Sequence, residues 1–169
     1  HCIGFNEVPI TPLASTGADE LLKSLLGADR SLVPLRQILI ERAQGNPFFI
    51  EELVRTLAEA KVLVGEPGAY RAAGGIDNLQ VPATVQAVLA ARIDRLANEE
   101  KYLLQSASVI GLDVSQALLE AVTEFRADAL RNALAHLQSA GFLDEVGLFS
   151  DMAFSFSNSL ARDVAYESL

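Results

Sequence analysis

The last third of the chain combines three helical patterns with one strictly alternating segment. From Met152 to Ser157 large and small side chains alternate, which predicts a strand with one buried face. Residues 142–146 and a turn at Gly147 come before it and complete a predicted hairpin. Three helices are predicted upstream, at residues 99–110, 113–122 (capped by Asp113 with Gln116) and 127–140. Three helices, the last two joined by a tight turn, followed by a hairpin make a winged helix.

The preceding part of the chain has the pattern of a small helical bundle. Its helices are predicted from Thr16 with Asp19 to Gly27, from Pro34 to Gly45 and from Pro47 to about Ala60, before a hairpin at 62–71 and a loose link at 72–80. In the third helix the predicted buried face holds Phe49, Ile50, Leu53, Val54 and Leu57, and the predicted exposed face holds Glu51, Glu52, Arg55 and Glu59. A further long helix is predicted from Pro82 to Leu96. The predicted fold class is mainly α: a helical bundle followed by a winged-helix domain with small β-hairpins.

Composition narrows the function classes. The chain has 169 residues, of which 50% are hydrophobic, so it is long enough to bury a core. Its net charge of −9 opposes binding to the nucleic acid backbone, because that affinity comes mainly from Lys and Arg. No apolar run approaches the roughly 18 residues that a membrane span needs, so no membrane partner is expected. A single cysteine, Cys2, excludes an internal disulfide framework and favours a cytoplasmic setting.

The junction at residues 44–47 is the strongest local signal in the first half. Gly45 is suited to end one helix in a left-handed conformation, Asn46 to cap the next, and Pro47 to occupy its first position. We expect a rigid turn whose outward N–H groups donate hydrogen bonds to an anion or to the polar edge of a ring. A plain connector between two helices is the alternative interpretation of the same residues.

A winged helix is often a DNA-binding module, and the charges of this one argue against that function. The third helix exposes two fixed positive charges, Arg126 and Arg131, and one negative charge, Asp128. The wing carries Asp144, Glu145 and Asp151, which would face phosphates with the wrong sign. DNA binding is therefore not expected, and a protein-contacting or structural role is favoured.

Catalytic and metal-binding patterns are absent from the sequence. The histidines are His1 and His136 and the cysteine is Cys2, too few for a zinc site of the usual kind. Adjacent carboxylates such as Glu99 and Glu100 stand in helix first turns, where they complement the helix dipole. The phosphate-cradling pattern Gly-x-x-x-x-Gly-Lys-Ser/Thr does not occur, so the chain itself is not expected to be an enzyme.

Four blocks, taken in order, resemble a known family. They are Gln44 to Leu53 (QGNPFFIEEL), Val81 to Leu96 (VPATVQAVLAARIDRL), Ala107 to Gly111 (ASVIG) and Arg162 to Leu169 (RDVAYESL). Together they are similar to the predicted ATPases of the STAND branch of AAA+ proteins. These occur in bacterial multidomain signalling proteins, joined to adenylate/guanylate cyclase domains, LuxR-type DNA-binding domains or protein kinases.

The resemblance implies that the chain contains parts of three domains of a longer parent protein. Residues 1–13 would be the tail of an upstream nucleotide-binding core, residues 14–80 the helical lid, and residues 81–169 the winged-helix domain, truncated at its end. The expected partners are the upstream P-loop domain and a downstream sensor or effector domain of the same chain. The cofactor would be ATP or ADP in the parent, with none bound tightly by this part alone. In the family a Gly-x-Pro turn of the lid lies against adenine and ribose, and Gly45, Asn46 and Pro47 match it.

One position departs from the family pattern. Related winged helices supply a histidine, in a Phe-x-His-x-Leu pattern after the wing, that contacts the ADP β-phosphate; here Asn158 stands in its place. An amide still donates a hydrogen bond but cannot become a cation, so we expect ADP retention weaker by about 1 to 2 kcal/mol. Asn158 is equally suited to cap the final helix. The alternatives to a nucleotide switch are a winged-helix transcription regulator and a nucleotide-free protein-interaction adaptor.

Overall fold

A computed structural model describes residues 11–74, 81–148 and 151–169, with the backbone alone at Leu148 and Asp151. The chain divides into two compact units, His1–Val85 and Gln86–Leu169. Both are mainly helical and each carries a small antiparallel sheet, so the predicted fold class is confirmed. Among the helices of the described ranges, none has the length and apolar character to cross a membrane.

The first unit is a three-helix bundle with a short hairpin. Its elements are α1 (Ser15–Leu26), a 3-10 turn (Arg30–Leu32), α2 (Val33–Ala43), α3 (Pro47–Glu59), β1 (Leu63–Val64) and β2 (Arg71–Ala72), the two strands pairing antiparallel. The side chains that fill its core are aliphatic: Leu22, Leu26, Leu32, Leu35, Leu39, Ile50 and Leu53. These positions recur every three or four residues, which is why the segments fold as helices around one core.

Two sequence predictions fail within this unit. Glu52, predicted exposed, is only 3% exposed, and its carboxylate lies 3.4 Å from the guanidinium of Arg55. Because α3 packs against both α1 and α2, its buried arc is wider than the single stripe that the pattern indicated. At the start of α1, the predicted cap by Thr16 with Asp19 is also wrong: Ala14 holds the N-cap position with no side-chain bond.

The second unit has the winged-helix arrangement. Its elements are α4 (Val85–Ile93), α5 (Asn98–Ile110), β3 (Asp113–Ser115), α6 (Gln116–Thr123), α7 (Ala127–Ser139), β4 (Leu143–Leu148), β5 (Asp151–Phe156) and α8 (Ser159–Glu167). The three strands form an antiparallel sheet in the order β3-β5-β4. Leu143 pairs with Phe156, and Val114 pairs with Phe154, so the buried side chains of β5 face the helices. The prediction of a strand with one buried face is confirmed, with Phe154 and Phe156 on that face.

Strand β3 is the main feature that the sequence prediction missed. Residues 113–115 pair with β5 instead of beginning a helix, and Ser115, not Asp113, caps α6 by accepting the Leu118 N–H over 3.3 Å. The predicted turn at Gly147 is also displaced: Gly147 pairs with Met152 inside the hairpin. The residues between the two strands, 149 and 150, lie outside the described part of the chain.

Helix α4 is shorter than predicted. The helix expected from Pro82 to Leu96 spans only Val85–Ile93. Beyond it, the backbone N–H of Arg95 donates to the Arg92 carbonyl and that of Leu96 donates to the Ile93 carbonyl, in each case three residues back. Hydrogen bonds to the residue three positions back close tight turns instead of α-helical turns, so the α-helix ends at Ile93. Leu96, the last apolar residue of the predicted helix, lies beyond that end.

Candidate functional site

The junction between α2 and α3 has two consecutive left-handed residues. Gln44 has φ 49° and Gly45 has φ 79°. The Gln44 N–H donates to the Ile40 carbonyl over 3.2 Å, and the Asn46 N–H donates to the Ala43 carbonyl over 2.9 Å. The predicted left-handed helix end at Gly45 is confirmed, and these bonds hold the turn on both sides.

Gly45 is packed against the chain segment that leads into α1. Its carbonyl accepts a hydrogen bond from the Leu13 N–H over 2.8 Å. A β-carbon at position 45 would lie 2.4 Å from the Leu13 carbonyl oxygen and 2.9 Å from the Cβ of Pro12. Only glycine fits this site, both because of the close approach and because of the positive φ.

The first turn of α3 retains fewer free donors than the sequence suggested. Asn46 caps the helix as predicted, its side-chain oxygen accepting the Phe49 N–H over 3.2 Å, and its carbonyl accepts the Ile50 N–H over 3.1 Å. Pro47 has no N–H. In the described part of the chain this leaves the Phe48 N–H as the one donor of the turn without an acceptor. The first turn of α3 therefore presents the Phe48 N–H next to the exposed ring of Pro47, an arrangement that suits the edge of a neutral ring.

Asn158 caps α8 in the second unit. Its side-chain oxygen accepts the Ala161 N–H over 2.7 Å, which confirms the capping interpretation. The amide nitrogen of Asn158 makes no hydrogen bond within residues 11–74, 81–148 and 151–169. One turn further along, Arg162 is engaged with the adjacent carboxylate of Asp163. The cap uses the oxygen of Asn158 alone, so its amide N–H groups stay available to an acceptor.

The four residues singled out from the sequence belong to two units. Gly45, Asn46 and Pro47 form one turn in the first unit, and Asn158 stands at a helix start in the second. Each group is built by local hydrogen bonds of its own unit. Neither group contains a nucleophile or an acid/base pair.

Two of the three exposed basic residues at α7, Arg131 and His136, lie beside carboxylates, and the third, Arg126, is exposed at the N-cap. Arg131 is paired with Asp128 at 3.2 Å, and the His136 imidazole lies 2.7 Å from the carboxylate of Glu100. On β4, Asp144 and Glu145 are adjacent in sequence and exposed. Since both Arg131 and His136 contact carboxylates, the helix that would enter a DNA groove offers little attraction for phosphate.

A cleft between α1 and α2 was not anticipated from the sequence. It has a volume of about 370 Å³, and its charged lining includes Asp19, Arg36 and Glu41. The hydrogen bond from Lys23 holds the pKa of the Asp19 carboxyl below its ordinary value. The Nε of Arg36 is buried without a hydrogen bond in the described residues. Helical spacing places Asp19 and Lys23 on one face, but pairing with α2 has no local sequence signal.

Metal binding finds no support in the described residues. Within residues 11–74, 81–148 and 151–169 there is no group of three or more His, Cys, Asp or Glu side chains that could hold an ion. His1 and Cys2, which the sequence analysis considered for zinc, lie outside the described residues.

Comparison with known proteins gives one partial match. Residues 14–71 match the model of a domain family of unknown function, DUF8739. The matched segment runs from the start of α1 to the first residue of β2, and it includes the whole α2–α3 junction. A search of curated proteins finds no match.

Proposed function

We propose that the chain is the lid and winged-helix part of an ATPase-like signalling switch, resembling the STAND branch of AAA+ proteins. In this proposal it closes over an adenine nucleotide whose phosphates are held by a P-loop domain earlier in the parent protein. Nucleotide exchange reorients the two parts and signals to an attached effector, for which an adenylate/guanylate cyclase is one candidate. The setting proposed for this switch is cytoplasmic.

The α2–α3 junction is the observation that carries this proposal. The hydrogen bonds to Gly45 and Asn46 fix its backbone, so little ordering remains when a flat ligand docks. Residues 44–48 offer an exposed apolar ring at Pro47, the N–H of Phe48 and no charged side chain. Those features match the edge and face of a neutral purine, and they argue against the phosphate end of the ligand.

The start of α8 has the complementary chemistry. Helix starts leave N–H groups that favour anions, and the free amide of Asn158 adds a donor beside them. A phosphate oxygen is the acceptor that this combination suits. Because Asn158 is neutral, the bond lacks charge assistance, which supports weaker retention than a histidine at this position would give.

The rival interpretation as a transcription regulator receives less support. A regulator of this kind needs a basic recognition surface, and here Arg131 and His136 are paired with carboxylates, which leaves Arg126 as the exposed cation of this helix without a carboxylate partner in the described residues. The nucleotide-free adaptor shares the fold and differs only in having lost the ligand. Bound nucleotide in the parent is therefore the property that separates the switch from the adaptor.

The deciding experiment measures ADP in the purified parent protein. We expect ADP to copurify and to fall about tenfold in Pro47→Ala, which removes the ring at the proposed purine contact. Asn158→His should raise retention by about 1 to 2 kcal/mol by restoring a charge-assisted bond. Pro67→Ala and Asn132→Ala, at exposed positions away from both groups, serve as matched controls. A parent that holds no nucleotide, or holds it unchanged in both variants, would favour the adaptor.

Two further measurements bound the proposal. The 169-residue chain alone should show negligible ATP affinity by calorimetry, because the proposed phosphate-holding domain is not part of it. Micromolar binding would contradict that division. A DNA titration of the same chain should show no binding at physiological salt, whereas binding that falls steeply with added salt would support the regulator.

A further inference from the structure

The cleft between α1 and α2 contains a guanidinium group whose hydrogen-bonding capacity is unused. The Arg36 side chain lines this cleft and is 14% exposed. Its Nε is buried without a partner, and its Nη groups make no hydrogen bond within residues 11–74, 81–148 and 151–169. A guanidinium that has given up most of its water without gaining acceptors is unfavourable. The Nη groups, which stay accessible, are therefore available to donate to a bound acceptor.

Asp19 stands beside Arg36 without forming a hydrogen bond to it. Oδ1 of Asp19 lies 3.9 Å from Nε of Arg36, a separation that is too long for a hydrogen bond. The other oxygen, Oδ2, contacts the ammonium group of Lys23 at 2.5 Å. Lys23 therefore uses one oxygen of Asp19, and the other oxygen is left as an acceptor in the lining of the cleft.

Glu41 adds a second carboxylate on the α2 side of the cleft. It is exposed, and it has no ion pair or hydrogen bond in the described part of the chain. A guanidinium and two carboxylates thus line one cleft without using their donors and acceptors on one another. Such a lining suits a ligand that carries both charges, because the carboxylates repel a plain anion and the guanidinium repels a plain cation.

The rest of the lining is apolar or uncharged. Val33, which is 48% exposed, and the half-buried Ile40 stand on the same side of α2 as Arg36, three and four residues from it. Ser15 and Gln37 add uncharged hydrogen-bonding groups. The cleft volume of about 370 Å³ is at the small end of the range for small-molecule sites, and it is large enough for a molecule of amino acid size.

We propose that the cleft between α1 and α2 binds a free α-amino acid with an aliphatic side chain. The ligand carboxylate accepts hydrogen bonds from the Nη groups of Arg36. The ligand ammonium donates to the carboxylates of Asp19 and Glu41. The aliphatic side chain packs against Val33 and Ile40. This inference is independent of the nucleotide proposal, because it uses other residues and is tested without nucleotide.

The test is a titration of the isotope-labelled 169-residue chain with L-leucine, followed by NMR. Two matched probes each lack one charged group of leucine: 4-methylpentanoate has no ammonium, and 3-methylbutylamine has no carboxylate. Leucine should shift the resonances of Asp19, Arg36 and Ile40 and should saturate at millimolar concentrations or below. Each matched probe should bind at least about tenfold more weakly, because it loses the charge-assisted hydrogen bonds of one group.

Variants locate the site. Arg36→Gln and Asp19→Asn should each weaken leucine binding about tenfold or more. Arg30→Gln and Glu20→Gln, at exposed positions outside the lining of the cleft, are the matched controls and should leave the affinity unchanged. Circular dichroism checks the fold of every variant.

Glu41→Gln provides a second test that does not depend on a buried position. It removes an exposed carboxylate, so the chain should stay folded. The variant should bind leucine more weakly, because one acceptor for the ammonium loses its charge. It should bind 4-methylpentanoate no more weakly than the unchanged chain does, since that probe has no ammonium.

Several outcomes would overturn this inference. They are no binding at the solubility limit of leucine, resonance shifts centred outside α1 and α2, or an unchanged leucine affinity in the folded Arg36→Gln, Asp19→Asn and Glu41→Gln variants. Equal affinity for leucine and 4-methylpentanoate would make the cleft a simple carboxylate site. Equal affinity for leucine and 3-methylbutylamine would make it a site for cations.

Discussion

The backbone of Leu13 packs directly against Gly45. The Leu13 N–H donates to the Gly45 carbonyl over 2.8 Å, and the Leu13 carbonyl oxygen lies 2.4 Å from where a β-carbon on residue 45 would stand. The segment entering α1 therefore covers one side of the α2–α3 junction. Its other side, with Asn46 and Pro47, stays exposed.

Gly45→Ala should destabilise the chain by about 2 to 4 kcal/mol, since it adds both left-handed strain and a clash with Leu13. Urea denaturation of the purified chain measures this change. Gly74→Ala is the matched control: its β-carbon meets nothing within 4 Å, so we expect a change of no more than about 0.5 kcal/mol. Equal effects of the two substitutions would show that the contact with Leu13 is not a constraint.

The two capping asparagines should each contribute about 1 kcal/mol. Asn46→Ala frees the Phe49 N–H, and Asn158→Ala frees the Ala161 N–H, so each variant should unfold at lower urea. Asn46→Asp and Asn158→Asp should keep most of the stability, because a carboxylate oxygen also caps a helix start. Asn132→Ala, in an exposed mid-helix position, is the control and should be neutral or slightly stabilising.

Local sequence signals predicted the parts of the fold that local chemistry determines. The Asn46 cap with Pro47 placed the start of α3 at the correct residue, and the alternation after Met152 placed β5. Glu52 shows the limit: its burial depends on α3 meeting both α1 and α2, which no helical period reveals. Strand β3 is too short for a pattern and exists because β5 lies beside it.

The candidate site was predictable to the same extent. The conformation of Gly45 and both caps follow from residue types at helix ends. The contact with Leu13 does not, because it joins residues 32 positions apart through the backbone. The same holds for the ion pairs of α7. The partner of Arg131 is Asp128 on the same helix and is visible from helical spacing, but the partner of His136 is Glu100 on α5 and is not. The binding of nucleotide at Gly45, Asn46, Pro47 and Asn158 stays a prediction.

Arg92 is expected to be the most sensitive charged residue of the second unit. It is 2% exposed, its guanidinium lies 4.6 Å from the centre of the Phe142 ring, and it donates to the Ala140 carbonyl. Arg92→Met should cost about 2 to 4 kcal/mol by denaturation, through lost stacking and a lost charged hydrogen bond. Arg92→Lys should recover little, because an ammonium cannot stack as a plane. Arg131→Met, at an exposed pair, should change stability by no more than about 0.5 kcal/mol.

The ion pair between Lys23 and Asp19 should make the stability of the chain depend on pH in the acid range. The Lys23 ammonium lies 2.5 Å from the Asp19 carboxylate, and this hydrogen bond lowers the pKa of Asp19 from its ordinary value of 3.8. A folded-state pKa below the unfolded value means that the stabilisation is present above pH 3.8 and is lost as the pH falls through the folded pKa.

NMR titration of the Asp19 carboxyl should therefore give a midpoint below 3.8, and Lys23→Met should move that midpoint upward. The Asp29 carboxyl, whose pKa is lowered by hydrogen bonding to Ser31, should be unchanged in the same variant and serves as the internal control. An Asp19 midpoint that does not respond to Lys23→Met would assign its low pKa to another group.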